Sequence, residues 1–418
     1  ELLFYFLTLQ YFYFMRKFLF FLFLFISILS FSQKKDATSF KNGIENPSLL
    51  TTHHFGIFSS RINQNFKIKA PKTATIRFSS ESGNTFHPFV EAYLPKNQNI
   101  RAQFSNQIWY NRQFNFIDQT ATPAEYMNIV IDAVIRGFRF DISIPISKKH
   151  ELSITLRSYL ITKGKYPFSF ITSDESIEWF HSNVAGGEDP YGRRYYGLNQ
   201  VNFKYTDRNG KVLELKNGDF FLGGIEFNHQ YYPETLINKK RNLFVNFGTH
   251  LGVNTSKFNS SIDLGVSINF VKKLKLKNQN EFHLGIGASI LRKNVVNFKE
   301  NVDLGNNTFL GNLESEIEFT KFTKRKNYHS FGVHYQFQTR YNKLKEASYY
   351  HLKGKWQEIH AGWQHGFTTL YEGLSAWSFL YTYGNPNYKL TIYLKEDFFV
   401  NNAPDAQTGI SIQIPIFK

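Results

Sequence analysis

The densest concentration of chemistry-bearing side chains lies between Ile177 and Arg194. It holds His181 and Ser182, the carboxylates Glu178, Glu188 and Asp189, and the guanidinium groups of Arg193 and Arg194. A histidine, a serine and a carboxylate could form a hydrolytic site, in which the base takes the hydroxyl proton as the nucleophile attacks. The base and the nucleophile must then share a face. His181 and Ser182 are adjacent, so a strand turns them to opposite faces and a helix separates them by about 100°. The competing reading is a structured loop. Trp179 and Phe180 pack it down, while Arg193 and Arg194 pair with Glu188, Asp189 or lipid phosphates.

A second set of charges is regularly spaced. Glu314, Glu316 and Glu318 alternate with Leu313, Ile317 and Phe319, so all three carboxylates fall on one face of a strand. Arg139, Arg157, Lys389 and Lys395 have the corresponding phase on other strands, as do His283, His334 and His360. In a closed barrel these side chains face the lumen, because charge on the lipid face is costly. Acidic and basic stripes across a pore would orient and select small solutes. Alternatively, they pair and brace a closed lumen. Three histidines could hold a metal, but no ligand spacing joins them, and neither a metal nor a cofactor is expected. The chain has no cysteine, which removes disulfides, thiolate catalysis and thiolate metal sites. It carries no P-loop, dinucleotide-binding glycine motif or nucleophile elbow.

The elements that would position these groups are strands. From about residue 137 the sequence beats with period two. Phe138, Phe140, Ile142, Ile144 and Ile146 alternate with Arg139, Asp141 and Ser143; Ile262, Leu264, Val266, Ile268 and Phe270 alternate with Asp263, Gly265, Ser267 and Asn269. The segment containing Phe221, Ile225 and Phe227 and the final run Ile410, Ile412, Ile414 and Ile416 repeat the pattern. Several segments are long enough to cross a bilayer as tilted strands. Their second face carries Gly, Asn, Gln, Glu and His, which argues against a two-sided core. Gly384-Asn385-Pro386-Asn387 reads as a tight turn. Aromatics make up 18% of the chain, with 45 Phe and 24 Tyr, and Trp109, Trp356, Trp363 and Trp377 suit the girdles at membrane edges. The expected fold is all-β, an antiparallel transmembrane β-barrel of about 12–14 strands. About twelve strands follow residue 136, with two to four weaker ones between 60 and 135. The connections do not sort by length into two sets. Residues 163–219 break the beat and form a partly helical insert in an outer loop or in the mouth. Its helix starts after Thr172, puts Ile177, Phe180 and Val184 on one face, and ends at Gly186-Gly187.

Met15-Arg16-Lys17, the apolar run Phe18–Leu29 and the small residues Ser30 and Ser32 describe a secretory signal peptide over 15–32, cleaved after Ser32. Residues 1–14 read as translation upstream of the true start, residues 33–60 as a periplasmic lead-in, and residues 61–418 as the barrel. No later stretch has the 18 consecutive apolar residues of a transmembrane helix. The formal charge of +16 becomes about +15 when Arg16, Lys17 and Glu1 are removed. The basic residues are scattered and the chain is exported, so the expected neighbours are outer-membrane lipid and lipopolysaccharide rather than nucleic acid.

The pattern as a whole resembles Gram-negative outer-membrane β-barrel proteins. Outer-membrane lipid A deacylases carry a His, one further residue and then Ser-Asn, with a Glu beyond. His181-Ser182-Asn183 and Glu188 resemble that motif with the intervening residue missing, and the likeness would imply a membrane-embedded lipid hydrolase. Asn46-Pro47, the segment from Phe86 to Pro95 and the 177–194 stretch resemble an uncharacterised family of exported bacterial proteins over about 45–235. That likeness implies a β-rich surface-layer protein and brings no catalytic residues. The last strand ends in Phe417-Lys418 and resembles the terminal strand that barrel-assembly machinery reads, although Phe417 is out of phase with the isoleucines. The function these features imply is an outer-membrane pore or transporter for a small solute. The alternative is a structural or recognition barrel with a plugged lumen.

Overall fold

A computed structural model describes residues 41–46, 50–51, 53–85, 87–93, 108–109, 112–113, 126–164, 169, 171–187, 197–207, 209–323, 327–343, 373–397 and 406–416. The upstream segment, the signal peptide and its cleavage site lie outside these residues. The strands in chain order are β1 Thr75–Asn84, β2 His87–Tyr93, β3 Ile108–Trp109, β4 Arg112–Gln113, β5 Tyr126–Ile131, β6 Val134–Pro145, β7 His150–Thr162, β8 Phe203–Thr206 and β9 Val212–Leu215. They continue as β10 Phe220–Tyr231, β11 Leu243–Thr255, β12 Ser260–Lys275, β13 Glu281–Asn297, β14 Phe309–Phe322, β15 Tyr328–Gln338, β16 Leu374–Gly384, β17 Lys389–Glu396 and β18 Gln407–Pro415. Two short helices are α1, Asp174–Phe180, and α2, Leu236–Arg241.

Twelve of these strands close into one antiparallel barrel, in the order β1, β6, β7, β10 and then β11 through β18 back to β1. Thr75 pairs with Pro415 and with Ser143 across the closure, so no edge is left open. Only β1 comes from the region before residue 134 in which two to four strands were expected. The remaining strands there, β2 with β5 and β3 with β4, form two-stranded sheets outside the barrel, as do β8 and β9.

The connections alternate between the two ends and their lengths overlap, but the three longest, 85–133, 163–219 and 339–373, share one end. One end carries 146–149, 232–242, 276–280, 323–327 and 385–388, together with both termini of the barrel. The other carries 85–133, 163–219, 256–259, 298–308, 339–373 and 397–406. Sequence could not show this, because β2–β5, β8 and β9 interrupt the long connections with strands of their own. At the short-loop end, the Asn385 carboxamide accepts from the backbone N–H of Asn387 at 2.8 Å and of Tyr388 at 3.0 Å, fixing the expected turn.

Burial is inverted relative to a soluble protein. Phe140, Leu152, Ile154, Phe227, Val266, Ile286, Ile317, Phe331 and Ile412 are exposed on the outer wall. Asp263, Asn269, Glu314, His334 and Gln413, which point inward, are buried. Alternation along each strand produces this division, and it is favourable only where the outside is apolar. One register differs from the sequence reading. A β-bulge between Leu222 and Gly224 shifts the phase of β10, so Phe221 turns inward while Ile225 and Phe227 stay on the outer face. Gly224 has φ 145°, and a Cβ there would lie 2.1 Å from the Val253 carbonyl oxygen, so only glycine fits.

Replacing Val266, on the outer face midway along β12, with Arg should destabilise the folded protein in lipid vesicles by about 2–4 kcal/mol. A urea titration in vesicles measures it; unchanged stability would show that this face does not meet lipid.

Candidate functional site

The lumen is occupied by the chain's own N-terminal segment. Residues 41–46 and 50–51 lie along the lumen from the short-loop end, a 3₁₀ turn at His54–Phe58 reverses the chain, and residues 59–69 return to the same end before β1 begins. The two legs bond to each other. The Asn42 side chain donates to Lys69 O at 2.8 Å, Ile44 N to Phe66 O at 3.1 Å and the Asn46 side chain to Gln64 O at 3.1 Å. Gly43 has φ 85°, and a Cβ there would stand 2.1 Å from Phe66 O, so the close crossing of the legs requires glycine. The expectation that residues 33–60 form a periplasmic lead-in therefore needs correcting: among the described residues, 41–46, 50–51 and 53–60 lie within the barrel. They lack strand periodicity because their polar groups pair with the wall on several sides rather than with one neighbouring strand.

Lys41, Glu45, Arg61 and Lys67 of the plug each meet an opposite charge on the wall. Near the short-loop end, Lys41 pairs with Glu318 and lies 3.5 Å from Glu45. Glu45 accepts from Lys389 Nζ and from the Tyr328 hydroxyl, both at 2.8 Å, while its N–H donates to Glu318 at 2.9 Å. Farther in, Arg61 reaches Glu314 at 3.4 Å, and its N–H donates to Glu226 at 3.2 Å. The Ser60 N–H and hydroxyl both donate to Asp263, at 3.1 and 2.9 Å. On the way out, Lys67 pairs with Glu151, and the Asn246 side chain donates to Asn65 O and Lys67 O at 2.7 and 3.0 Å. Burial by itself raises the pKa of the Glu45 carboxyl, but the Lys389 and Lys41 ammonium groups overcome this and hold it below the ordinary carboxylate value. Burial likewise works against the charge of Lys41, and Glu318 and Glu45 raise its pKa in spite of it.

The apex of the plug is apolar. Leu50, Phe55, Ile57 and Phe58 form one buried cluster with Phe203, Tyr205, Leu213 and Leu215 of the β8–β9 hairpin and with Phe258, Leu310 and Tyr341. Phe58 stacks on Phe221 at 5.5 Å, and Phe55 meets Tyr205 edge-on at 4.6 Å. Each such side chain contributes about 1.5–3 kcal/mol on burial. The 163–219 insert thus covers the apex at the long-loop mouth, and it is the N-terminal segment that fills the lumen.

The residues expected to line the lumen all point inward where described. Glu314, Glu316 and Glu318 are each 1% exposed, because the plug lies over them instead of water. Arg139 and Arg157 pair with strand neighbours, Glu81 at 3.7 Å and Glu226 at 2.8 Å, and Arg157 also donates to Ser59 O of the plug at 2.7 Å. Lys389 and Lys395 reach the plug, at Glu45 and at Leu50 O. His334 meets Glu314 at 3.2 Å; His283 lies 3.5 Å from Glu281 and 3.7 Å from Glu318. His360 lies outside the described residues. Among the described residues, no group of three or more His, Asp or Glu side chains is arranged to hold a metal ion.

In the insert, α1 is capped by Ser173, whose side chain accepts from Ser176 N, rather than by Thr172. Thr172 is buried, with its hydroxyl 2.6 Å from that of Ser82 and its carbonyl accepting from Asn84, which ties the insert to β1. A π-helical turn, His181–Ala185, follows and stops at Gly186, with φ 77°. Ile177 is buried, but Trp179, Phe180 and Val184 are exposed, Trp179 by 60%, so these side chains do not pack the loop down as expected. Trp179, two residues after Ile177 in α1, falls on a different face of that helix, and Val184 lies in the wider π turn. The His181 ring meets Ile177 O at 3.0 Å, and Ser182 is exposed on the next position of the turn. Glu188, Arg193 and Arg194 lie outside the described residues.

Sequence reasoning kept a plugged lumen as an alternative but did not identify the N-terminal segment as the plug. Its signal was a set of glycines at inward strand positions, read as lumen polarity. A Cβ at Gly252 would stand 2.2 Å from Ser60 Cβ; at Gly265, 2.4 Å from Ile62 Cδ1; at Gly285, 2.7 Å from Ile44 Cδ1. These glycines form the groove into which the plug fits.

Together the closed barrel, its exposed apolar wall and its polar interior define a transmembrane antiparallel β-barrel filled by an N-terminal hairpin. It resembles Gram-negative outer-membrane barrels. No family model and no curated protein matches the chain. Among solved structures, it is similar to the NanC porin (8% identity, TM-score 0.36, covering 82% of this chain and 99% of that one). It is also similar to an outer membrane channel from Pseudomonas putida F1 (8%, TM-score 0.38, 84% and 99%) and to LpxR from Salmonella typhimurium (8%, TM-score 0.37, 82% and 100%). At these values the likeness is one of barrel architecture and brings no activity with it.

Two measurements test the plug. Gly252→Val should displace Ser60, so that trypsin cuts at Arg61 and Lys67 in the folded variant at least about tenfold faster than in the parent; equal resistance would show that the groove does not hold the segment. The depressed Glu45 carboxyl stabilises the docked plug fully above pH 4.5, its ordinary value, and this contribution is lost as pH falls from there through its lowered value in the folded protein. Protection of the amides of residues 44–46, taken relative to their intrinsic exchange rate at each pH, should therefore fall as pH drops below 4.5, and unchanged protection there would exclude the role given to Glu45.

Proposed function

We propose that the protein is an outer-membrane barrel whose lumen is closed by its own N-terminal hairpin, and that it acts as a structural or recognition barrel through its long-loop face. The observation that carries this reading is the pairing of Lys41, Glu45, Arg61 and Lys67 with buried charges around the lumen. An open pore would leave Glu314, Glu316 and Glu318 facing water, whereas here the hairpin covers them. The short-loop end, which carries the barrel's termini, is assigned to the periplasm and the long-loop end to the outside, as is general for single-chain barrels. Export through cleavage near Ser32, assembly by the barrel machinery and contact with lipopolysaccharide at the outer rim belong to the same proposal.

A second reading is a solute channel opened by release of the hairpin. The polar character of the two legs favours it, since ion pairs can be exchanged for water at a lower cost than an apolar core. Lipid hydrolysis at His181 and Ser182 has less support, because the two side chains occupy consecutive positions of one turn.

Single-channel recording of residues 33–418 in a planar bilayer distinguishes the readings. The parent should give no stable current steps, and Gly252→Val should give them. Discrete steps from the parent protein would overturn the plugged reading in favour of a constitutive pore.

A further inference from the structure

The short-loop rim is chemically uneven. Within one arc, from the β6–β7 turn to the β14–β15 turn, the outer faces of β6, β12 and β14 pass from apolar side chains to exposed or half-buried cations, while β7 and β10 between them end in His150, His229 and Tyr231. On β6 the outward series Phe140, Ile142, Ile144 continues through Ile146, 57% exposed, to Lys148. On β12 it passes from Val266, Ile268 and Phe270 to Lys272, Leu274 and Leu276, flanked by the exposed Lys275 and Lys277. On β14 it passes from Ile317 and Phe319 to the exposed Lys321.

Between β10 and β11 the rim carries α2, whose sequence is Leu-Ile-Asn-Lys-Lys-Arg. Leu236 is 73% exposed and Ile237 is also exposed, alongside the exposed Lys240 and Arg241. Thr235 caps this helix by accepting from Asn238 N at 3.3 Å, and Asn242 ends it with φ 49°, so its orientation on the rim is fixed. The carboxylates in this arc are few: Glu281 is paired with Lys273 at 2.5 Å, Glu234 is exposed, and Glu151 is turned into the lumen. The opposite arc differs. Its β16–β17 turn is Asn-Pro-Asn-Tyr, bordered by Tyr381, Tyr383 and His329.

We infer that this basic arc is a docking surface for anionic phospholipid head groups of the periplasmic leaflet. It continues directly from the lipid-facing belt, so its aliphatic side chains enter the same acyl layer while the ammonium and guanidinium groups reach the phosphate level just below. A short helix with apolar residues beside a basic end, lying at a membrane boundary, is suited to that position. Long cationic side chains meet the interface by extending along it, with their methylene stems in the apolar layer. The attraction requires net negative charge on the lipid. A zwitterionic head group offers the same phosphate with a cation attached and gains little. The inference rests on the periplasmic assignment of the short-loop end and does not depend on whether the lumen conducts.

The test is native mass spectrometry of the folded protein, residues 33–418, in detergent, titrated with phosphatidylglycerol or with phosphatidylcholine. Each cation near an anionic surface contributes severalfold, so the parent should retain phosphatidylglycerol at least about tenfold better, and high salt should reduce the difference. A rim variant carrying Lys148→Gln, Lys240→Gln, Arg241→Gln, Lys275→Gln, Lys277→Gln and Lys321→Gln should bind the two lipids nearly equally. A variant of the opposite end, Lys211→Gln, Lys257→Gln and Lys299→Gln, should keep the preference. A heat-dependent gel shift establishes that each variant is folded. Equal retention of both lipids by the parent, or a preference that survives in the rim variant, overturns the proposal. So does a preference lost only in the opposite-end variant, which would put the lipid at the other rim.

Discussion

The rest of the structure depends on one electrostatic constraint. Closing the sheet into a twelve-stranded barrel turns half of each strand inward, and here that half carries Glu81, Arg139, Glu151, Arg157, Glu226, Asp263, Glu314, Glu316, Glu318, Lys389 and Lys395. Charges removed from water need partners, and breaking a buried pair by taking away one member is more costly than never having had it. Some wall charges find partners on neighbouring strands, as Arg157 does in Glu226. Others are completed by the hairpin: Glu318 by Lys41, Lys389 by Glu45, Glu314 by Arg61 and Glu151 by Lys67. The hairpin is thus part of the interior, and the barrel wall and its filling have complementary charge patterns.

The interior is layered along the barrel axis. Near the short-loop end the contacts are mainly ionic and polar; at the long-loop mouth an apolar cluster built on Phe55 and Phe58 is covered by the β8–β9 hairpin. This arrangement suits a segment that is continuous with the wall. The two legs emerge where β1 begins, so the chain can fill the lumen without crossing the mouth, and the apex is held from the far side by side chains of the long loops. The carboxylate of Glu316, like the Glu81 carboxylate and the His283 ring, makes no hydrogen bond among the described residues.

Much of the fold was legible in the sequence because a transmembrane barrel is built from a local rule. The alternation of Ile262, Leu264, Val266 and Ile268 with Asp263, Gly265, Ser267 and Asn269 identifies the strand, its two faces and which face meets lipid, all without any distant contact. The same rule placed Glu314, Glu316, Glu318, Arg139, Arg157, Lys389 and Lys395 in inward phase. It failed on Phe221, where one extra residue in a bulge reverses the phase, and it did not anticipate that Trp179 and Phe180 of α1 are exposed.

What the sequence determined by itself was therefore the class of fold, the polar identity of the lumen and the apolar identity of the outer wall, since each follows from side-chain alternation along a single strand. Whether the lumen is open was decided only by the tertiary structure. Residues 41–69 have no periodicity, and their partners Glu318, Lys389, Glu226, Asp263 and Glu151 are scattered over strands far apart in sequence. The inward glycines at 252, 265 and 285 look the same in sequence whether they face water or a packed segment. Only closure of the barrel brings these groups around a common axis, and only there do their charges and their missing side chains define a groove with one occupant.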